Sequence, residues 1–183
     1  MVAPVQQIFR YGIDDADVIE HVDRWWLAFA SENNANELDE ASVLGHPIWE
    51  FIADLPTQRL YREIHHRVRS SGKPIEVPFR CDSPTMRRYM RLTISHSAAG
   101  HLRYESQLIR AVPQGLNPLL NASSKRSDAF LTMCSCCKRS LIEPSGWLEM
   151  EDIALRLQMY DQQAVPDLRY TLCPDCSKQL LDN

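Results

Sequence analysis

Apolar and polar residues alternate with period two in short runs of the first 111 positions, and with a period near 3.6 in the runs between them. Over residues 7–13, Phe9, Tyr11 and Ile13 fall on one face, and a second strand-like run follows at 17–22 after an Asp-rich turn. Asp23 is placed to cap a helix over 24–32, where Trp25/Phe29 and Trp26/Ala30 stand four apart and predict an inward aromatic stripe. A helix is also predicted over 45–54, with Pro47 in its first turn and Trp49, Ile52 and Ala53 sharing a face. The next helix, 56–70, repeats Leu60, Ile64 and Val68 at i, i+4, i+8, and Gly72 closes it. Three strands complete the pattern. Ile75, Val77, Phe79 and Cys81 point inward, with Glu76, Pro78 and Arg80 outward; Met90, Leu92 and Ile94 follow, then Leu102, Tyr104, Ser106 and Leu108. A turn at Ala98, Ala99 and Gly100 joins the last two strands into a hairpin. The order β-β-α-α-α-β-β-β predicts an α+β fold: a five-stranded antiparallel sheet with helices on one face.

The periodicity stops between 112 and 128, where Pro113, Gly115, Pro118 and the run Ser123, Ser124, Ser127 resist regular structure. That stretch reads as a linker between a domain over 1–111 and a smaller module over 129–183. In the module an amphipathic helix is predicted over 150–160, with Ile153, Leu157 and Tyr160 on one face.

Composition adds limits. A content of 44% hydrophobic and 24% charged residues is that of a globular protein, not of a disordered or fibrous chain. No run approaches eighteen apolar residues, and the start Met1, Val2, Ala3, Pro4 lacks a basic and then apolar leader. Neither a membrane span nor export is therefore expected, and the cytoplasm is the expected compartment. The net charge of −4 argues against general nucleic-acid binding. It conceals an acidic stretch, with 11 acidic and 2 basic residues in 1–54, beside a basic one, with 11 basic and 4 acidic in 55–111. Two such excesses inside one fold neutralise each other; a basic face meeting an anionic partner is the sharper alternative.

Five of the six cysteines fall in the last fifty residues. Cys134/Cys137 and Cys173/Cys176 form two C-x₂-C knuckles separated by thirty-five residues. Four thiolates in two such knuckles can close a tetrahedron around Zn²⁺ with no open position, the arrangement of a structural site. Iron is the chemical competitor for the same cage. Cys136 sits beside this set as a spare, and Cys81 reads as a small hydrophobe on the inner face of its strand. A fifty-residue unit has little core, so the metal is expected to supply much of its folding free energy.

The stretch 22–33, with Val22, Asp23, Trp25, Trp26, Phe29 and Ala30, together with Gly45, His46, Pro47 and the start Gly72, Lys73, Pro74 of the third strand, resembles a PAS domain over residues 7–111. That resemblance implies a sensor of small molecules, redox state or light, or a dimerisation module, with any ligand between the sheet and the central helices. The corresponding positions are Trp26, Phe29, Trp49, Ile64, His65, Phe79, Met90, Leu92 and Tyr104. Aromatic residues so placed also simply fill cores. Haem is the PAS ligand tested most directly by sequence. His65 falls at the edge of the Leu60/Ile64/Val68 stripe and His66 points away, so the helix does not support it. Residues 133–178, with Cys134, Cys137, Lys138, Arg139, Trp147, Cys173, Pro174 and Cys176, resemble a cysteine-rich tail that follows PAS or receiver domains in bacterial signalling proteins. Tyr170 and Thr171 replace the histidine-glycine of that tail.

No catalytic constellation is visible: carboxylates are dispersed, and there is neither a glycine-rich phosphate loop nor a nucleophile elbow. The chain therefore reads as a non-enzymatic, cytoplasmic regulatory protein of bacterial type, with a PAS-like sensor or interaction domain and a Cys₄ zinc module. Its expected partner is another signalling protein, with no membrane partner, and homodimerisation has no supporting feature in the sequence. Two alternatives belong to other classes. One is a nucleic-acid-binding regulator using Lys138, Arg139, Lys178, Arg80, Arg87, Arg88 and Arg91; the other is a thiol redox sensor that loses its metal on oxidation.

Overall fold

The computed structural model describes residues 7–33, 35, 37–160 and 163–181, so the segment of Met1 and Pro4 lies outside the described residues. The chain divides into two compact units. One comprises Met1–Pro78 and Met90–Ile109; the other comprises Phe79–Tyr89 and Arg110–Asp182. No described helix is long and apolar enough to cross a membrane.

The first unit contains β1 (Ile8–Ile13), β2 (Ile19–Val22), α1 (Arg24–Glu32), α2 (Glu40–Val43), a 3₁₀ turn (Ile48–Phe51), α3 (Leu55–Ser71), and most of β3 (Ile75–Arg80), β4 (Met86–His96) and β5 (Leu102–Pro113). The sheet runs in the order β2-β1-β5-β4-β3. β1 pairs antiparallel with β2 and with β5, where Tyr11 stands opposite Tyr104. As expected, the Asp23 side chain accepts from the backbone N–H of Trp26 and starts α1. α3 is closed by Gly72 in the left-handed region (φ 69°), which glycine enters without a Cβ penalty. Pro78 lies in β3, an edge strand, where a missing N–H costs the sheet little.

Two helical expectations are corrected. Helix 45–54 is only the 3₁₀ turn, because Ile52 is extended (φ −114°, ψ 101°) and Asp54 caps α3 by accepting from the N–H of Thr57. The stripe of α1 is not fully inward either: Trp25 is 51% exposed with the Arg24 guanidinium over its ring. The short α2 has no counterpart in the expected pattern; it is set by a capping box between Asp39 and Ser42.

The second unit holds the turn between β3 and β4 and a sheet that the sequence pattern did not predict. Its elements are β6 (Arg126–Cys134), β7 (Ser140–Ile142), β8 (Gly146–Leu148), α4 (Met150–Arg156), β9 (Val165–Thr171) and α5 (Pro174–Leu181), with strand order β8-β7-β6-β9. α4 ends at Arg156, short of the expected 160. β6 and β9 run parallel, from Arg126 opposite Val165 to Cys134 opposite Thr171. Such a pair needs a long crossover, and the chain supplies β7, β8 and α4 between the two strands. The core is Leu119, Leu131, Met133, Met150, Ile153, Ala154, Met159 and Val165. Leu119 comes from the stretch 112–128 expected as a linker and is wholly buried, because its neighbour Asn117 fastens that stretch by accepting from the Leu119 N–H and donating to the Pro84 carbonyl.

Within this unit Arg80 overturns the expectation of an outward side chain. It is 6% exposed, since the face it occupies is covered by the segment leading into α4. Its guanidinium pairs with Asp82, whose side chain is fully enclosed, and with Glu149 at 2.6 Å; Arg87 pairs with Glu151. Burial works against the charge on Arg80, but Asp82 and Glu149 outweigh it and hold the guanidinium protonated. Removing one member of a buried pair strands the other, which typically costs about 3–5 kcal/mol. Arg80→Ala is therefore expected to lower stability by about that amount in urea denaturation. The double change Arg80→Met with Asp82→Asn should recover most of the loss, and equal losses in the single and double variants would contradict the buried-pair assignment.

Candidate metal centre and ligand cavity

The parallel register of β6 and β9 brings the two knuckles together. Cys134 is the last residue of β6, and Cys173 follows two residues after the end of β9, so both turns leave the sheet at the same edge. Lys138, in the left-handed region (φ 64°), follows the first knuckle, and Pro174 opens α5 directly after Cys173, where its lack of an N–H is harmless. The sulfurs of Cys134, Cys137, Cys173 and Cys176 all lie within 4.8 Å of one another, close enough to hold one metal ion. Cys137 and Cys173 are 3.8 Å apart. A tetrahedron with Zn–S bonds of about 2.3 Å has an edge of about 3.8 Å, so this separation fits zinc without rearrangement. Backbone N–H groups add to the cage: Cys173 donates to Cys134 Sγ at 3.4 Å and Cys176 donates to Cys173 Sγ at 3.5 Å.

Arg139 lies over this cluster. Its Nε donates to Cys137 Sγ at 3.3 Å, while Nη2 reaches Cys173 Sγ at 3.6 Å and Asp175 at 2.8 Å. The neighbouring thiols, Cys134 first, and then Arg139 push the Cys137 thiol well below its usual range, and the same contact pushes Cys134 up to about 11. The Cys137 sulfur thus takes the negative charge while Cys134 and Cys176 resist it. A divalent cation removes that conflict by stabilising all four thiolates together. Cys136 is buried beside the cluster and outside the set of four, and its backbone carbonyl accepts from the Arg80 N–H at 2.8 Å. Cys81 is half-buried, less enclosed than expected, and burial raises its thiol pKa.

The residues that could have formed a basic patch are largely committed elsewhere. Arg80, Arg87, Arg91 and Arg139 face Asp82, Glu151, Glu76 and Asp175 respectively. Lys138 donates to the Ser135 carbonyl.

In the first unit, the positions suggested for a ligand mostly fill the core. Ile64, Met90, Leu92 and Tyr104 are buried at 5% exposure or less, Phe29 packs on Phe9, and Phe79 belongs to the other unit. Trp49 lies against His65, and the Arg62 guanidinium sits over the Trp49 ring. Trp26 borders a cavity. That cavity, about 330 Å³, lies between β1 and β2 of the sheet and α1, α2, the 3₁₀ turn and the start of α3; Tyr11, Val43, Phe51, Thr57 and Tyr61 also line it. A void is what side chains leave unfilled, so no residue pattern announces it.

His65 is not at the edge of the buried face but 1% exposed, because an acidic partner from a turn distant in sequence reaches it. Its Nδ1 faces Asp17 at 2.9 Å and its Nε2 faces the Tyr104 hydroxyl in a short contact. Asp17 in turn pairs with Arg69 at 2.8 Å. Both ring nitrogens are engaged, which leaves none for a haem iron. This is a buried polar chain whose members satisfy one another.

With this geometry in hand, comparison with known proteins adds little. No family model matches the chain, and no curated protein matches it. Solved structures are similar, among them the following two. The photoactive yellow protein domain of the sensor histidine kinase Ppr from Rhodospirillum centenum is 12% identical with a TM-score of 0.39, over 55% of this chain and 90% of that one. A sensory box sensor histidine kinase from Vibrio cholerae is 14% identical with a TM-score of 0.39, over 56% and 81%. The first unit has a PAS-like fold. Its β-β-α-α-α-β-β-β order and five-stranded antiparallel sheet carry that description.

Burial lowers the His65 pKa to about 4, against the pull of Asp17. The unfolded chain, with an ordinary histidine near 6.5, then binds a proton that the folded chain refuses between those values. Stability from this group is complete above pH 6.5 and is lost as the pH falls toward 4, in total about 3 kcal/mol. Urea midpoints measured from pH 7.5 to 4.5 should fall with a slope that His65→Gln flattens, and an unchanged slope in that variant would assign the acid sensitivity to other groups.

Proposed function

We propose that this chain is a cytoplasmic regulatory protein of bacterial type, in which the PAS-like unit takes up a small molecule and the cysteine module holds one structural zinc ion. The observation that carries the reading is the chemistry of the cavity lining. Tyr11, Trp26, Val43, Phe51, Thr57 and Tyr61 stand there with further aliphatic residues, and among the described residues no carboxylate, imidazole, lysine or thiol lines it. Such a largely apolar and aromatic lining suits recognition of a small molecule, which is the role read for this unit.

Support for zinc comes from the donor set. Four sulfurs at tetrahedral spacing leave no position for a substrate, which marks a structural centre. The metal adds to the small core of the second unit and fixes the knuckles over which Arg139 and Asp175 are displayed. That surface, where Asp175 is exposed beside Arg139, is the part of the module available to another signalling protein.

Native mass spectrometry of the full chain tests both parts. One zinc per chain is expected in the wild type, with zinc lost in Cys173→Ser and in Cys176→Ser along with the near-ultraviolet signal of the module. Full zinc occupancy in those variants would defeat the four-cysteine assignment. Iron would appear at a different mass and give a visible thiolate absorption band.

A further inference from the structure

The second unit holds two bulky apolar side chains in water at the end of the β6–β9 pair remote from the cysteines. Arg126 faces Val165 at that end, and Cys134 faces Thr171 at the other. β6 has nine residues, so at about 3.3 Å per residue its ends lie about 26 Å apart.

Local backbone explains the exposure. A helix continued to 160 would have set Tyr160 on the apolar face with Ile153. Instead Gln158 enters the left-handed region (φ 49°), and the Met159 N–H turns back to the Ala154 carbonyl at 2.9 Å. Met159 is thereby placed in the core at 2% exposure, while Tyr160 beside it is 55% exposed. In the stretch 112–128, Asn117 is buried and its N–H reaches the Pro84 carbonyl at 2.7 Å; the preceding Leu116 turns outward, 55% exposed. Between these side chains runs an open groove of about 470 Å³. The buried Met159 and Val165 form its floor, and Leu116, Pro118 and Tyr160 stand along it.

Charge at the groove has one sign. Lys125 is the only ionic side chain bordering it among the described residues, and it makes no ion pair with any of them. The next residue, Arg126, donates to the carbonyls of Pro166 at 3.2 Å, Leu119 at 3.0 Å and Asn121 at 3.4 Å. Carbonyls satisfy the N–H groups but leave the charge uncompensated. Elsewhere in this unit Arg80, Arg87 and Arg139 meet carboxylates. Two adjacent cations without acids attract an anionic occupant.

The openness of the groove decides what kind of occupant. A small-molecule site encloses most of its ligand, whereas here the rim itself stands in water. Exposed tyrosine and leucine over an adaptable methionine floor suit a partner's chain laid across them.

We propose that this groove docks an extended segment of a partner protein in which bulky aliphatic side chains alternate with acidic residues. The aliphatic side chains cover Leu116 and Tyr160, and the acids meet Lys125 and Arg126. It is a second docking surface, at the opposite end of the strand pair from Arg139 and Asp175, and it stands apart from any small molecule in the first unit.

Calorimetry on the full, zinc-loaded chain tests it with three acetylated, amidated hexapeptides. In the first, two leucines alternate with three glutamates and a glycine closes the chain; glutamines replace the glutamates in the second, and serines replace the leucines in the third. The glutamate peptide should bind, the glutamine peptide about fivefold more weakly, and the serine peptide not at all at about 1 mM. Tyr160→Ser and Leu116→Ser, both at exposed positions, should each weaken both leucine peptides about tenfold with zinc content unchanged. Lys125→Gln should weaken the glutamate peptide about threefold and leave the glutamine peptide as it was. Binding indifferent to both serine variants would overturn the site. Equal affinity of the glutamate and glutamine peptides would overturn the acidic character of the partner, and binding of the serine peptide would overturn the role of the groove. No binding of any peptide at about 1 mM would overturn the docking proposal while leaving the zinc and small-molecule readings intact. Dodecanoate binding tighter than the glutamate peptide, and lost in the serine variants, would replace the partner segment by a small amphipathic acid. A concentration-dependent dimer that Leu116→Ser dissolves would assign the groove to a second copy of the chain instead.

Discussion

The parallel pairing of β6 with β9 is the constraint on which the second unit depends. Strands joined through a hairpin would end at opposite edges and carry their cysteines apart. A parallel pair ends at one edge, and the register that sets Cys134 opposite Thr171 delivers both knuckles there. Parallel pairing has a high loop-closure cost, because β7, β8 and α4 must be ordered before β9 can add. A core of eight buried residues offsets part of it. The sulfur cluster, once it holds metal, ties the far ends of the loop and supplies the remainder.

The same unit includes the turn between β3 and β4. Arg80 fastens that turn in two ways: its backbone N–H reaches the carbonyl of Cys136, inside the first knuckle, and its guanidinium is enclosed between Asp82 and Glu149. A charge so deeply placed persists only with its partners, so it fixes one arrangement of turn, knuckle and helix start. β3 and β4 run on into the five-stranded sheet of the first unit.

Local physics was legible in the sequence and distant physics was not. Asp23 as a cap, Leu60, Ile64 and Val68 as a buried stripe, Gly72 as a helix end and the alternation of β4 and β5 all depend on neighbours within a turn or a strand. The cysteine spacing was legible for the same reason, since each knuckle is a local turn. Arg80 was misplaced because its environment is set by Glu149, sixty-nine residues away. His65 lay on the edge of a helical wheel, but Asp17 and Tyr104, from other elements, decide its burial. The sheet of the second unit escaped notice because β6 opens with the polar Arg126, Ser127 and Asp128 inside the stretch read as a linker, and its partner β9 lies about thirty residues further on.

The central claim is that one metal ion at the four cysteines holds the β6–β9 pair and, through Arg80, the turn between β3 and β4. Backbone hydrogen exchange of the full chain with and without a zinc chelator tests it most directly. Chelation should accelerate exchange at Leu131, Thr132, Met133 and Cys134 on β6, and in the same kinetic phase at the Arg80 N–H. Arg80 staying protected while the β6 amides exchange freely would contradict the link between knuckle and turn. Unchanged protection at all of these positions after complete metal removal would contradict the role of the metal in the fold.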